Sequence, residues 1–227
     1  MTATLAFDTA LNGCSVGLHD ARSGEVYARY RPMARGQSEQ LMPEIAALLQ
    51  EAGVTYPDIG ALVTTAGPGA FAGLRIGLAA AKGMALALGV PVLTMTTLQA
   101  LAWHCADQQS LRVPFLVVLE TKREDFYVQA FDAAGSALSP AAAMDAQAAA
   151  DLARELSLSA AVGDAVERLC ATYPALLESL RERLLYDHIP GGWLAAQRAR
   201  CSESTVPVYL RAPDVTYSTR PQRSLQT

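Results

Sequence analysis

The run GPGAFAGLRIG, from Gly67 to Gly77, restricts the fold open to this chain more than any other feature. It follows a β-branched segment, Ala61 to Ala66, and leads into a long helix of small residues, so its glycines sit where the backbone turns from strand to helix. Many α/β proteins hold phosphate at such a turn, because the first N–H groups of the helix are unpaired and its dipole favours an anion. The same turn can equally carry chemistry or pack closely against another backbone.

The nucleotide reading meets two obstacles. Gly67-x-Gly69-x-x-Ala72 satisfies a relaxed dinucleotide fingerprint, but that fingerprint wants a ribose-binding acid about 20 residues further on. No Asp or Glu lies between Asp58 and Asp107. The phosphate-loop pattern needs Lys and a hydroxyl after its last glycine, and Gly73 is followed by Leu74 and Arg75. Packing has positive support: Gly73, Gly77, Ala80, Ala81 and Met84 fall on one helix face, where another helix could approach closely. Glycine lowers the stability of a helix, and close packing would offset that. The face either packs inside its own subunit or forms a subunit interface, and periodicity does not choose between them.

At 227 residues, 51% hydrophobic and 18% charged, the chain can bury a full core as one large domain or two small ones. A net charge of -4 gives no overall basic surface to draw in nucleic acid. Cys14, Cys105, Cys170 and Cys201 show no CxxC pairing, and no basic-then-apolar leader opens the chain, so a cytoplasmic protein with reduced thiols is expected. The low-charge stretch Ile59 to Ala106 is broken by glycines, prolines, Arg75 and Lys82, which argues against a membrane span. His19, His104 and His188 form no HExxH or HxxxH pair, and GxSxG is absent. His104 and Cys105 are sequence neighbours that point apart on a helix. No catalytic, cofactor-binding or metal-binding residue is therefore assigned. Asp8-Thr9, at the end of the first strand, either holds a metal–phosphate group or merely flanks a hairpin.

The order of elements reads βββαβαβ. Strands at Thr4–Thr9 and Cys14–His19 flank Asn12-Gly13, a pair suited to the positive φ angles of a tight turn. A third strand runs near Glu25–Tyr30. A helix over Ser38–Ala52 follows, with Leu41, Ile45, Leu48, Leu49 and Ala52 in one stripe; Pro43 either marks its first turn or bends it. Strand Ile59–Thr65, helix Ala72–Leu88 and strand Val92–Met95 complete the unit, with Gly89-Val-Pro91 closing the helix. After a helical stretch, Leu98–Ala106, strands Phe115–Leu119 and Phe126–Phe131, an alanine-rich helix near Ala146–Leu156 and a short strand at Ala160–Gly163 suggest a second, similar half. The domains expected are 1–97, 98–211 with its last helix able to pack back on the first, and a mobile polar tail, 212–227.

LAFDTALNGCSVGL, QSEQLMPEI, GPGAFAGLRIGLAAAKGMAL, LETKREDFY and PVYLR occur in order from Leu5 to Arg211. Together they resemble the TsaB (YeaZ) family, the bacterial partner proteins in tRNA threonylcarbamoyladenosine synthesis. The resemblance implies an α/β, actin-like ATPase fold of the sugar-kinase and chaperone superfamily, with two RNase H-like subdomains. It implies a non-catalytic scaffold that binds the catalytic subunit TsaD, helps recruit the ATPase TsaE, and meets tRNA only through the complex that transfers threonylcarbamoyl to adenosine 37 of ANN-decoding tRNAs. It also implies a homodimer when alone, and no cofactor. Carried over, the partner interface would comprise Leu41, Ile45 and Leu48 on one helix and Gly73, Ile76, Gly77 and Ala80 on the other. The chain departs from the family pattern at Ala70 and Ala72, where Ser and Thr are usual, at Gln37, where His is common, and at Glu120-Thr-Lys122 in place of Asp-Ala-Arg. Losing the two hydroxyls removes capping and phosphate-contact options near the loop. The rival reading is a free-standing superfamily kinase, ATPase or metallopeptidase-like enzyme.

Overall fold

A computed structural model of the chain describes residues 3–211; the tail 212–227 lies outside the described residues. Two five-stranded sheets share one topology. The first is built from β1 (Ala3–Asp8), β2 (Gly13–Asp20), β3 (Val26–Pro32), β4 (Ile59–Thr65) and β5 (Val92–Met95), with α1 (Gln37–Ala52) between β3 and β4 and α2 (Phe71–Leu88) between β4 and β5. Its order is β3-β2-β1-β4-β5, antiparallel through β1 to β3 and parallel from β1 to β5. After α3 (Thr97–Asp107) the pattern repeats with β6 (Phe115–Glu120), β7 (Phe126–Phe131), β8 (Ala142–Met144), α4 (Ala146–Glu155), β9 (Ala160–Val162), α5 (Val166–Thr172), α6 (Leu176–Ser179) and β10 (Glu182–Leu184). The second sheet runs β8-β7-β6-β9-β10, with the same parallel and antiparallel pairings. This duplicated α/β topology is the two-halved, actin-like ATPase fold. Three-residue β8 and β10 carry too few alternating residues to be legible in the sequence.

The halves exchange helices. α3 packs on β6 and β7, while α7 (Gly191–Ala196) packs on β1, β2 and β3. Between them lies an apolar core joining Ala6, Val63 and Leu93 to Phe115, Val117 and Phe131 through Leu98, Leu101 and Leu194. Alternate residues of the same strands, such as Leu5, Phe7 and Leu62, face a second core under α1 and α2. A central strand covered on both faces reads as a continuous apolar run, which is why all of β1 is buried. The fit of α7 depends on glycine, since a Cβ on Gly17 would lie 2.0 Å from the Gly191 carbonyl carbon.

Two local expectations change. The β1–β2 connection is not an Asn-Gly tight turn: neither Asn12 nor Gly13 has positive φ, and Gly13 already belongs to β2. Gly13 is instead required for space, because a Cβ there would meet Arg31 O and the Tyr30 ring at 2.6 Å. Pro43 lies inside α1, well past its first turn. Glu44 beside it is buried and clasped by Arg29 (2.9 Å) and Arg31 (2.6 Å) of β3. Hydrogen bonding from Arg29, reinforced by Arg31, holds its carboxyl below the usual range and ties α1 to the sheet edge.

By length and composition α2 alone among the described helices could cross a membrane. It is, however, the crossover between parallel β4 and β5, and Leu74, Leu78, Ala81 and Met84 are built into the protein core.

Candidate functional site

The glycine turn closes against the β1–β2 loop. Gly67 has φ 98°, and a Cβ on Gly73 would stand 1.9 Å from Thr9 O. Thr9 Oγ1 donates to Gly73 O at 2.7 Å, and Ala70 N donates to Ala10 O at 2.8 Å. The N–H groups of Ala10 and Leu11 turn inward to Asp8, and that of Asn12 donates to Asp187 O. The donors of the β1–β2 loop and of Ala70 are thus taken within the chain, while the first turn of α2 has no side-chain cap. Asp8 is buried, accepts from Thr65 Oγ1 at 2.5 Å, and burial raises its pKa above the usual value.

A cleft of about 720 Å³ lies between the two halves. Phe71, Arg75 and Tyr209 line one bank; Lys122, Tyr127 and Asp164 line the other. The Arg75 guanidinium lies 3.8 Å from the centroid of the Phe71 ring, and Tyr209 packs against Phe71 at 5.6 Å. On the second bank Arg168 forks onto both oxygens of Glu120 (2.7 and 2.8 Å) and covers Phe126. Asp164 accepts from Glu120 N and, across the cleft, from Asn12 Nδ2, both at 2.9 Å. Burial pushes the Asp164 carboxyl up to about 6. The late PVYLR segment stitches the halves together: Val208 N donates to Ala66 O, and Arg211 pairs with Asp125 at 3.2 Å.

His104 and Cys105 form no dyad. His104 packs edge-on against Tyr186 and Trp193, and burial lowers its pKa. Burial pushes the Cys105 thiol up to about 11, away from the thiolate that nucleophilic chemistry needs. Among the described residues no three His, Cys, Asp or Glu side chains gather as a metal-binding group.

The seven residues expected at a partner interface divide. Leu41, Ile45 and Leu48 are fully buried under the first sheet, and Gly73 and Gly77 face Thr9 and Thr64. These five are occupied by the subunit's own packing; Ile76 and Ala80 are half-buried. Of the two fates open to the small-residue face, its glycines take the internal one. The opposite face of α2 carries Ala72, Ala79, Lys82, Gly83 and Leu86 to solvent, with Leu86 88% exposed. A Cβ on Gly83 would have no atom within 4 Å, so nothing inside the described residues calls for a glycine there. A third glycine in one helix is the sequence signal for this face, one that the stronger periodicity of the inner face overshadows.

The family model for TsaD, tRNA N6-adenosine threonylcarbamoyltransferase, matches residues 31–219. The chain is a TsaB/YeaZ-like member of the TsaD family. It is 39% identical over 108 residues to a tRNA N6-adenosine threonylcarbamoyltransferase of Erythrobacter litoralis, covering 44% of this chain and 31% of that one. With the tRNA threonylcarbamoyladenosine biosynthesis protein TsaB of Escherichia coli it shares 37% identity over 98 residues, 43% of this chain and 42% of the relative. The match thus spans less than half the length of either relative. A crystal structure from Pseudomonas aeruginosa, described as an uncharacterized protein with similarity to peptidase YEAZ, superimposes with TM-score 0.73 at 26% identity. That superposition covers 93% of this TsaB/YeaZ-like chain and all of the other.

Proposed function

We propose that this TsaB/YeaZ-like chain is a non-catalytic subunit of the cytoplasmic assembly that places threonylcarbamoyl on adenosine 37 of ANN-decoding tRNAs. It docks a TsaD-type catalytic subunit through the outer face of α2, around Ile76, Ala79, Ala80, Gly83 and Leu86. The ATPase TsaE joins the assembly, tRNA meets this chain only through the complex, and in the absence of TsaD the same face pairs two copies.

The observation that carries the docking surface is Gly83. A mid-helix glycine costs roughly 1 kcal/mol relative to alanine, and among the described residues no contact requires it. A second helix lying against it supplies a reason. Leu86 beside it presents a large apolar side chain to water, which burial against a partner would stabilise. Support for a scaffold without its own chemistry comes from the β1–β2 loop, whose Ala10 and Leu11 N–H groups are spent on Asp8, from Ala70 N, which is spent on Ala10 O, and from the unreactive Cys105.

Reconstitution tests the reading. TsaD of the same source, tRNA and threonylcarbamoyl-adenylate should yield modified adenosine only when this chain is added. The chain alone should yield none. Full modification by TsaD without it, or rapid ATP hydrolysis by the chain alone, would refute the proposal.

A further inference from the structure

The cleft between the halves is large enough for a small molecule, since ligand sites commonly enclose some 300 to 1,000 Å³. Its charges are arranged unevenly. Arg211 is paired with Asp125, and Arg168 with Glu120. Among the described residues Arg75, on the α2 bank, lies against the Phe71 ring and in no ion pair, and Lys122, on the β6–β7 bank, is in no ion pair either. Two cations thus line the one cleft without an ion pair among the described residues, Arg75 stacked on Phe71 and Lys122 across from it. Lys122 is set at the tip of its turn with φ 60°, and its N–H donates to Glu120 Oε1 at 2.6 Å.

We propose that the cleft binds a small organic monoanion with a flat apolar body, its carboxylate held between Arg75 and Lys122 and its body laid against Phe71, Tyr127 and Tyr209. The site lies on the cleft side of α2's first turns, apart from Gly83 and Leu86, and does not depend on partner docking.

The chemistry selects a carboxylate over a phosphate chain. Polyphosphate recognition relies on several backbone N–H groups converging on the anion; the N–H groups of Ala10, Leu11, Asn12 and Ala70 are bonded inside the chain, which leaves the uncapped first turn of α2 to meet one short anion rather than a phosphate chain. Glu120 and Asp164 also line the cleft and would repel a multiply charged ligand. A single negative charge between two cations gains more than it loses. Flat rings stack on tyrosine and phenylalanine and under a guanidinium at low entropic cost.

The test uses the full chain with indole-3-carboxylate, its neutral analogue indole-3-carboxamide, AMP and inorganic phosphate, followed by ligand-observed NMR and calorimetry. The carboxylate should bind at least about tenfold more tightly than the amide, as expected when a charge-assisted contact is lost. Arg75→Gln and Lys122→Gln should each weaken the carboxylate several-fold, and the double variant should bring it down to the affinity of the amide. Both positions are exposed, so unchanged melting curves should accompany the loss. Equal affinity for carboxylate and amide on the unaltered chain, binding of neither, or tighter binding of AMP or phosphate would overturn the proposal. So would a folded double variant that binds normally.

Discussion

The two faces of α2 use the same kinds of residue for opposite ends. On the inner face Gly73 and Gly77 exist because Thr9 and Thr64 of the first half leave no room for a Cβ. On the outer face Gly83 has open space around it. Glycine content alone therefore says little about function, whereas what a side chain would meet separates a packing requirement from an unexplained vacancy. The first kind of glycine stabilises the fold by permitting close approach; the second weakens the isolated helix, which is the ground for the proposed docking face.

Gly73→Ala should have the largest effect, on the inner face. A Cβ at 1.9 Å from Thr9 O forces α2 away from the β1–β2 loop, and overpacking of this kind should cost about 3 kcal/mol in urea denaturation. A loss below about 0.5 kcal/mol would show that the inner face is not closed. Next in size is Leu86→Glu. Being 88% exposed, it should leave stability within about 0.5 kcal/mol while weakening TsaD binding about tenfold, the equivalent of about 1.4 kcal/mol. Smaller again is Gly83→Ala, which should stabilise the isolated chain by about 0.5 to 1 kcal/mol, because alanine fits the helix and no atom obstructs it. A destabilised Gly83→Ala would mean that the outer face has an internal role after all.

A pH-dependent effect concerns the cleft. Burial raises the Asp164 carboxyl from 3.8 to about 6, so the folded chain holds this proton more tightly than the unfolded one. The stability it contributes is complete below pH 3.8 and is lost as pH rises through about 6. Asp164→Asn removes that dependence. Relative to the unaltered chain, its melting temperature should therefore climb between pH 4 and pH 7; parallel curves would contradict the assigned burial. Asp8 titrates in the same direction and is common to both proteins.

Much of the fold was legible in the sequence because the long elements have strong periodicity. The stripe Leu41, Ile45, Leu48 and Leu49 marked α1, and β4, β5 and β7 fall at the expected residues. β8 and β10 were not legible, since three residues cannot establish a period of two. Asn12-Gly13 misled because glycine can be required by space as well as by φ. The candidate site was legible in part: helix periodicity marked the small-residue face of α2 but could not tell whether that face meets the sheet. Gly83 needed coordinates, as did Asp164 and Arg75, which lie far apart in sequence and come together only when the halves close.

If the outer face of α2 is built for another chain, Gly83→Leu should impair docking without harming the fold. Calorimetric titration with TsaD from the same source, paired with a melting curve, should show a chain that melts no lower than the original yet binds at least about tenfold more weakly, since the leucine fills the space that the partner helix would occupy. A Gly83→Leu chain that folds and binds TsaD with undiminished affinity would contradict the account.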